Sequence, residues 1–147
     1  MTEIAFHFNV PDKLAYACRL LRKAYAGGGP AGVVAPAQTL QALDAALWSF
    51  SALDFIPHCA ASAPADVLAA SPIVLAPDCA ALAHAHAGVL VHLGSEVPTG
   101  FERFARLIEL VDASDADRAQ ARLRWRHYAK LGYAIAQHDL AARQTKE

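Results

Sequence analysis

The chain has 147 residues, of which 55% are hydrophobic, and this size and composition predict a single domain, residues 1–147, around one core. Because 13 lysines and arginines stand against 14 aspartates and glutamates, the net charge of -1 excludes a global attraction to nucleic acid or membranes. Three widely spaced cysteines fit neither a disulfide framework nor a paired-thiolate zinc site.

The cysteine content and the N-terminal residues favour a cytoplasmic protein. Glu3 and Asn9 occupy positions where a signal peptide would need a basic and then an apolar stretch. No run approaches the roughly 20 apolar residues of a membrane span. We therefore expect a soluble chain that has no contact with a membrane.

The first segments predict a strand followed directly by a helix. Ile4, Phe6 and Phe8 alternate with smaller or polar residues, which is the period of a strand with one buried face. Asp12 lies where a helix would begin, and the glycines at 27–29 would end that helix.

A second strand and a second helix are predicted next. Val33 and Val34 form a short apolar run, and the residues after Pro36 show helical periodicity. Trp48 lies on the flank of the apolar stripe and is expected to be half covered. The stripe itself consists of Leu40, Leu43, Leu47 and Phe50.

The second half predicts two buried strands and two helices. Segments 72–77 and 88–93 are short, continuously apolar and bounded by breakers, as in parallel strands. Thr99 and Glu102 match a capping box in front of an amphipathic helix that extends to Val111. Residues 114–117 then begin a last helix.

The order of these elements predicts the fold class. Strand, helix, strand, helix, strand, strand, helix, helix indicates an α/β fold with an open, mostly parallel, Rossmann-like sheet and helices on both faces. Such a sheet suggests a nucleotide-dependent enzyme. The glycine cluster at 27–32 argues against one, because it leaves a helix and enters a strand, whereas a phosphate-binding loop leaves a strand and opens a helix.

Metal binding and catalysis have little support in the sequence. His84 and His86 are two residues apart and follow His58 and Cys59, but no converging set of three or four ligands is evident. We interpret these histidines as solvated loop residues. No nucleophile elbow and no paired carboxylates stand out, so we expect no enzymatic activity, no cofactor and no metal.

The remaining candidate is a basic and aromatic run near the C-terminus, at residues 117–130. Leu123 and His127 are expected to face the core, which would leave a cationic sector exposed. On a helix, four side chains share that sector of roughly 100°: Arg118, Arg122, Trp125 and Arg126.

This cationic sector has three possible roles. It could be a solvated face that neutralises nearby acids. Alternatively, because arginines four residues apart repel one another, it could bind an acidic peptide with a hydrophobic anchor, since guanidinium groups pair with carboxylates beside an indole. It could equally bind single-stranded nucleic acid, whose bases stack while its phosphates pair.

The sequence also resembles the chi subunit of bacterial DNA polymerase III over nearly its whole length. The Leu-Trp of segment 43–50 and the Phe-Ile-Pro-His of segment 55–58, at this separation, are the most specific features. The other similar segments are the opening strand and helix and residues 72–75, 90–93, 101–112 and 122–128.

The resemblance implies a non-catalytic protein that binds the acidic C-terminal tail of single-stranded-DNA-binding protein. It also implies a separate surface for the psi subunit, which connects it to the clamp loader, and no direct binding of nucleotides or DNA. Trp125 and Arg126 replace the expected Tyr and Lys, and the turn after Asp112 is shortened. No segment identifies the psi surface. The implied tail site comprises Trp48, Phe55, Arg118, Arg122, Trp125 and Arg126.

Overall fold

The computed structural model describes residues 2–49, 56–82 and 88–141. In the first range the elements follow the predicted order: β1 (Glu3–Val10), α1 (Lys13–Ala26), β2 (Ala31–Val34) and α2 (Ala37–Ser49). The Asp12 carboxylate accepts a hydrogen bond from the backbone N–H of Ala15 and so caps α1. Gly27 caps the other end, and Gly28 has a φ of 79°, which glycine adopts without strain.

The remaining elements include three that the sequence did not predict. These are the short strand β3, the helix α3 and the last strand β7. Within the described ranges, turns of 3-10 helix at Cys79–Ala81 and Phe101–Arg103 lie in connections. The elements in chain order are β3 (His58–Ala60), α3 (Ala65–Ala70), β4 (Ile73–Ala76), β5 (Val89–His92), β6 (Arg106–Asp112), α4 (Asp115–Lys130) and β7 (Ile135–Asp139).

The strands of the described residues form one seven-stranded sheet in the order β3-β4-β2-β5-β6-β1-β7. Every pairing is parallel, which confirms the predicted α/β fold with an open parallel sheet. Ile4 of β1 is in register with Leu107 of β6 on one side and with Ile135 of β7 on the other. The first and last strands of the chain are therefore neighbours.

Helices cover both faces of this sheet, as predicted. On one face, Leu21 of α1 and Leu43 and Leu47 of α2 pack against the sheet in one buried cluster. On the other face, Ala121 and Tyr128 of α4 belong to a second cluster. Because strand side chains alternate between faces, α2 and α4 lie on opposite sides of the molecule. Every helix in the described ranges is too short or too polar to span a bilayer.

The predicted amphipathic helix between Thr99 and Val111 is wrong. Residues 106–112 form strand β6. Glu102 of the supposed capping box lies in a 3-10 turn whose N-cap is Gly100, at a φ of 93°, and not Thr99. Strand β6 lies between β5 and β1, so five consecutive side chains are buried on its two faces. A strand buried on both faces has no period-two pattern, and its apolar run can match helical spacing by chance.

Candidate functional site

Helix α4 begins in a network that fixes its first turn to neighbouring elements. The Ser114 hydroxyl accepts a hydrogen bond from the Asp117 backbone N–H at 3.2 Å, as expected of an N-cap. The Asp117 carboxylate accepts from the backbone N–H of Asp112 at 2.9 Å and pairs with Lys13 of α1 at 2.8 Å. These bonds confirm the predicted helix start and hold it beside the end of β6.

A groove with a volume of about 400 Å³ lies between α4 and the strands at one edge of the sheet. The Trp125 and Phe6 rings pack with their centroids 5.1 Å apart, and these rings give the groove an apolar surface. Arg118 and Arg122 are exposed and line the same groove. Its full lining is Phe6, Phe8, Val111, Arg118, Ala121, Arg122, Trp125 and Gln137.

The arginines of this face have no carboxylate partner in the described part of the chain. None of the ion pairs between described residues involves Arg118, Arg122 or Arg126. Because successive members are four residues apart, their like charges repel within the helix. An anion that binds the groove would relieve this repulsion and gain charge-assisted hydrogen bonds.

The structure brings together three of the six residues predicted for the site: Arg118, Arg122 and Trp125. Arg126 is exposed on α4 but does not line the groove. Phe55 lies outside the described residues. Trp48 is described, and it lies in a different part of the molecule.

Trp48 is 59% exposed on α2, as the half-covered position predicted. Its ring centroid lies 5.2 Å from that of His58, which is in the edge strand β3. Four strands lie between β3 and β1 in the sheet, which makes five inter-strand spacings. At about 4.8 Å per spacing, β3 and β1 are roughly 24 Å apart. Trp48 also belongs to the helix layer on the opposite face, so it does not meet the groove.

The expectation that Leu123 and His127 face the core is wrong. Both are exposed, Leu123 by 59%, and the buried α4 residues are Ala121, Arg124 and Tyr128. The error arises because arginine is normally solvated, whereas Arg124 finds a buried carboxylate. That partner, Glu109, is in β6, the segment whose secondary structure was wrongly predicted.

Glu109 is the centre of a buried polar network and is itself 0% exposed. Its Oε2 accepts hydrogen bonds from the Tyr128 hydroxyl at 2.6 Å and from Arg124 Nε at 3.1 Å. Its Oε1 accepts from His92 Nδ1 at 2.6 Å. Burial and the adjacent Glu109 charge raise the pKa of Tyr128 well above its usual range, so its hydroxyl remains a donor.

The structure bears on the nucleotide and metal hypotheses as well. The glycine cluster ends α1 and leads into β2, as predicted for a helix C-terminus. In the described ranges no three His, Cys, Asp or Glu residues are grouped as metal ligands, and His84 and His86 lie outside those ranges. His58 is not a solvated loop residue, because it is buried in β3 and makes hydrogen bonds with the Ile56 carbonyl and the Asp44 carboxylate. Cys59, the next residue of β3, is also buried.

Comparison with known proteins identifies the family. Residues 1–136 match the family model described as DNA polymerase III chi subunit, HolC. The chain is also 33% identical over 146 residues to the DNA polymerase III subunit chi of Pseudomonas aeruginosa, an alignment that covers 95% of this chain and 98% of that protein. The chain therefore belongs to the DNA polymerase III chi subunit family, whose members are accessory subunits in DNA replication.

Proposed function

We propose that this chain is a non-catalytic adaptor that binds the acidic C-terminal tail of single-stranded-DNA-binding protein in the α4 groove. A second surface would bind the psi subunit and so connect the chain to the clamp loader. The observation that carries the proposal is an apolar groove lined by two arginines that have no carboxylate partner in the described part of the chain. Its volume is within the range of about 300–1,000 Å³ that is typical of binding pockets.

The chemistry of the groove fits an acidic peptide with a terminal hydrophobic side chain. Phe6 and Trp125 offer aromatic faces, against which an aromatic side chain packs in tilted or edge geometry. Arg118 and Arg122 lie on the same side of α4 and offer planar donor groups that match carboxylates. One anchor side chain and the adjacent carboxylates would thus be bound together.

A peptide titration tests this proposal. The parent chain has two tryptophans, so a Trp48→Phe variant leaves Trp125 as the only reporter. We expect an acidic peptide ending in Phe to change Trp125 fluorescence with a Kd on the order of 1–100 μM, as for a small interface. Arg122→Ala should weaken binding about tenfold or more, because a charge-assisted hydrogen bond is lost. Added salt should also weaken it.

Two controls separate this site from other modes of binding. Arg19→Ala removes one exposed positive charge from α1, on the opposite face, and should leave the titration unchanged. A single-stranded oligonucleotide should bind weakly, because a net charge of -1 opposes it. A peptide that gives no signal, or that binds Arg122→Ala as well as the parent, would contradict the proposal. Tight oligonucleotide binding would favour a nucleic-acid-binding module instead.

The second partner needs a surface that remains free when the groove is occupied. Trp48 is the largest exposed hydrophobic side chain outside the groove, and tryptophan is enriched at the centres of protein interfaces. Because it lies on the face of the sheet opposite α4, Trp48 does not share the groove with Trp125. We therefore assign Trp48 to the proposed psi surface instead of the tail site.

Trp48→Ala is expected to weaken psi binding by at least roughly thirtyfold, the effect of a central interface residue, and to leave tail affinity unchanged. Isothermal titration with each partner would measure both affinities. Leu123→Ala is a control, because Leu123 is as exposed as Trp48 but lies on α4. Loss of tail binding in Trp48→Ala would return this residue to the tail site.

A further inference from the structure

We infer that Glu109 is a positioning residue for the α4 groove. It fixes the orientation of α4 on the sheet so that Trp125, Arg118 and Arg122 all line the groove. The inference rests on the proposed function for the identity of the ligand. Its geometric part concerns only how α4 is held. Glu109 itself does not line the groove.

The Glu109 carboxylate joins two strands and one helix. It belongs to β6, and His92, which donates to it, belongs to the adjacent strand β5. Its other donors, Arg124 and Tyr128, lie about one helical turn apart on the buried side of α4. The network therefore fixes both the rotation of α4 about its axis and its position along the sheet.

Arg124 extends the Glu109 hydrogen-bond network to the loop after β5. Its Nη1 donates to the backbone carbonyl of Ser95 at 2.9 Å, while its Nε donates to Glu109. Its Nη2 is buried and finds no acceptor among the described residues. Glu109 thus provides the only carboxylate paired with this guanidinium in the described part of the chain, so no second acidic group would hold Arg124 if Glu109 were lost.

A series of aromatic contacts connects the Glu109 hydrogen-bond network to the groove. The ring centroid of Tyr128 lies 6.0 Å from that of Phe6, and the ring centroid of Phe6 lies 5.1 Å from that of Trp125. Tyr128 also packs edge-on against Phe101 at 5.1 Å, so its ring is held from two sides. A shift of Tyr128 would therefore reach Phe6 and Trp125, which form the apolar surface of the groove.

Removing the Tyr128 hydroxyl tests the inference without removing the buried charge of Glu109. Tyr128→Phe keeps the aromatic ring and deletes only the 2.6 Å hydrogen bond to Glu109. Ile73→Val is the matched control: Ile73 is fully buried in β4 and packs in the cluster beneath α1 and α2. Both variants are made in the Trp48→Phe background, so that Trp125 is the sole tryptophan.

Two measurements compare the variants under conditions where both are fully folded. We expect Tyr128→Phe to increase acrylamide quenching of Trp125 in the free protein and to weaken binding of the acidic peptide about three- to tenfold. Ile73→Val should lower stability to a similar degree, yet change quenching and affinity by less than about 1.5-fold. A general loss of stability does not alter the affinity of a fully folded protein.

The outcomes distinguish the inference from the proposed function. If Tyr128→Phe matches Ile73→Val in both quenching and affinity, the bond from Glu109 to Tyr128 does not position the groove and the inference is overturned. If the parent does not bind the peptide but Tyr128→Phe still exposes Trp125, the positioning of α4 is supported and the proposed ligand is wrong. The quenching measurement requires no ligand, which makes the two failures separable.

Discussion

Replacing Glu109 with alanine is expected to lower the free energy of unfolding by about 3–5 kcal/mol, the cost of leaving a buried charge without its partner. Arg124 is 1% exposed and cannot reach water without moving α4. The Tyr128 hydroxyl and His92 Nδ1 would lose the same acceptor. Urea denaturation followed by circular dichroism would measure the change, provided that the transition remains two-state.

A double-mutant cycle tests whether the unpaired charge causes this loss. Arg124→Met removes the guanidinium while retaining a long apolar side chain. In combination with Glu109→Ala, it should cost clearly less than the sum of the two single changes. Additive losses, or a loss of less than about 1 kcal/mol for Glu109→Ala alone, would mean that the Arg124 charge finds another partner or solvent.

The sequence predicts the first four elements, β1 to α2, well because its local signals agree with the tertiary structure. Asp12 caps the start of α1 and Gly27 caps its end, so the sequence and the structure place the two ends of α1 at the same residues. Strand β6 is mistaken for a helix because a strand buried on both faces lacks the alternation that identifies strands. Strand β7 is missed because Gln137 and His138 are polar, as an exposed edge allows.

The candidate site is predictable only on its helical side. Arg118, Arg122 and Trp125 fall on one face because of helical periodicity, which is a local property. The opposite wall depends on β7 pairing with β1, which brings Gln137 beside Phe6 from the other end of the chain. Glu109 and Arg124 become recognisable as partners only when β6 and α4 are known to pack together. Each charged residue, taken alone, is expected to be exposed to solvent.

Reversing both groove charges, Arg118→Glu with Arg122→Glu, is expected to weaken binding of the acidic tail peptide by at least about 100-fold. Each change removes a charge-assisted hydrogen bond of about 1.5–3 kcal/mol and adds repulsion. The fold should persist, because both side chains are exposed and Arg118 lies near the N-terminus of α4, where a carboxylate is favourable. Fluorescence titration would measure the affinity, and thermal unfolding the stability.

A peptide with reversed charges makes this result specific to the groove. If lysines replace the acidic residues of the peptide, the double variant should bind it more tightly than the parent does, because the same contacts become attractive again. Arg19→Glu with Lys23→Glu produces the same change in net charge on exposed positions of α1. An equal loss of affinity in that control would show that the peptide responds to the total charge of the protein, and the groove would then not be its binding site.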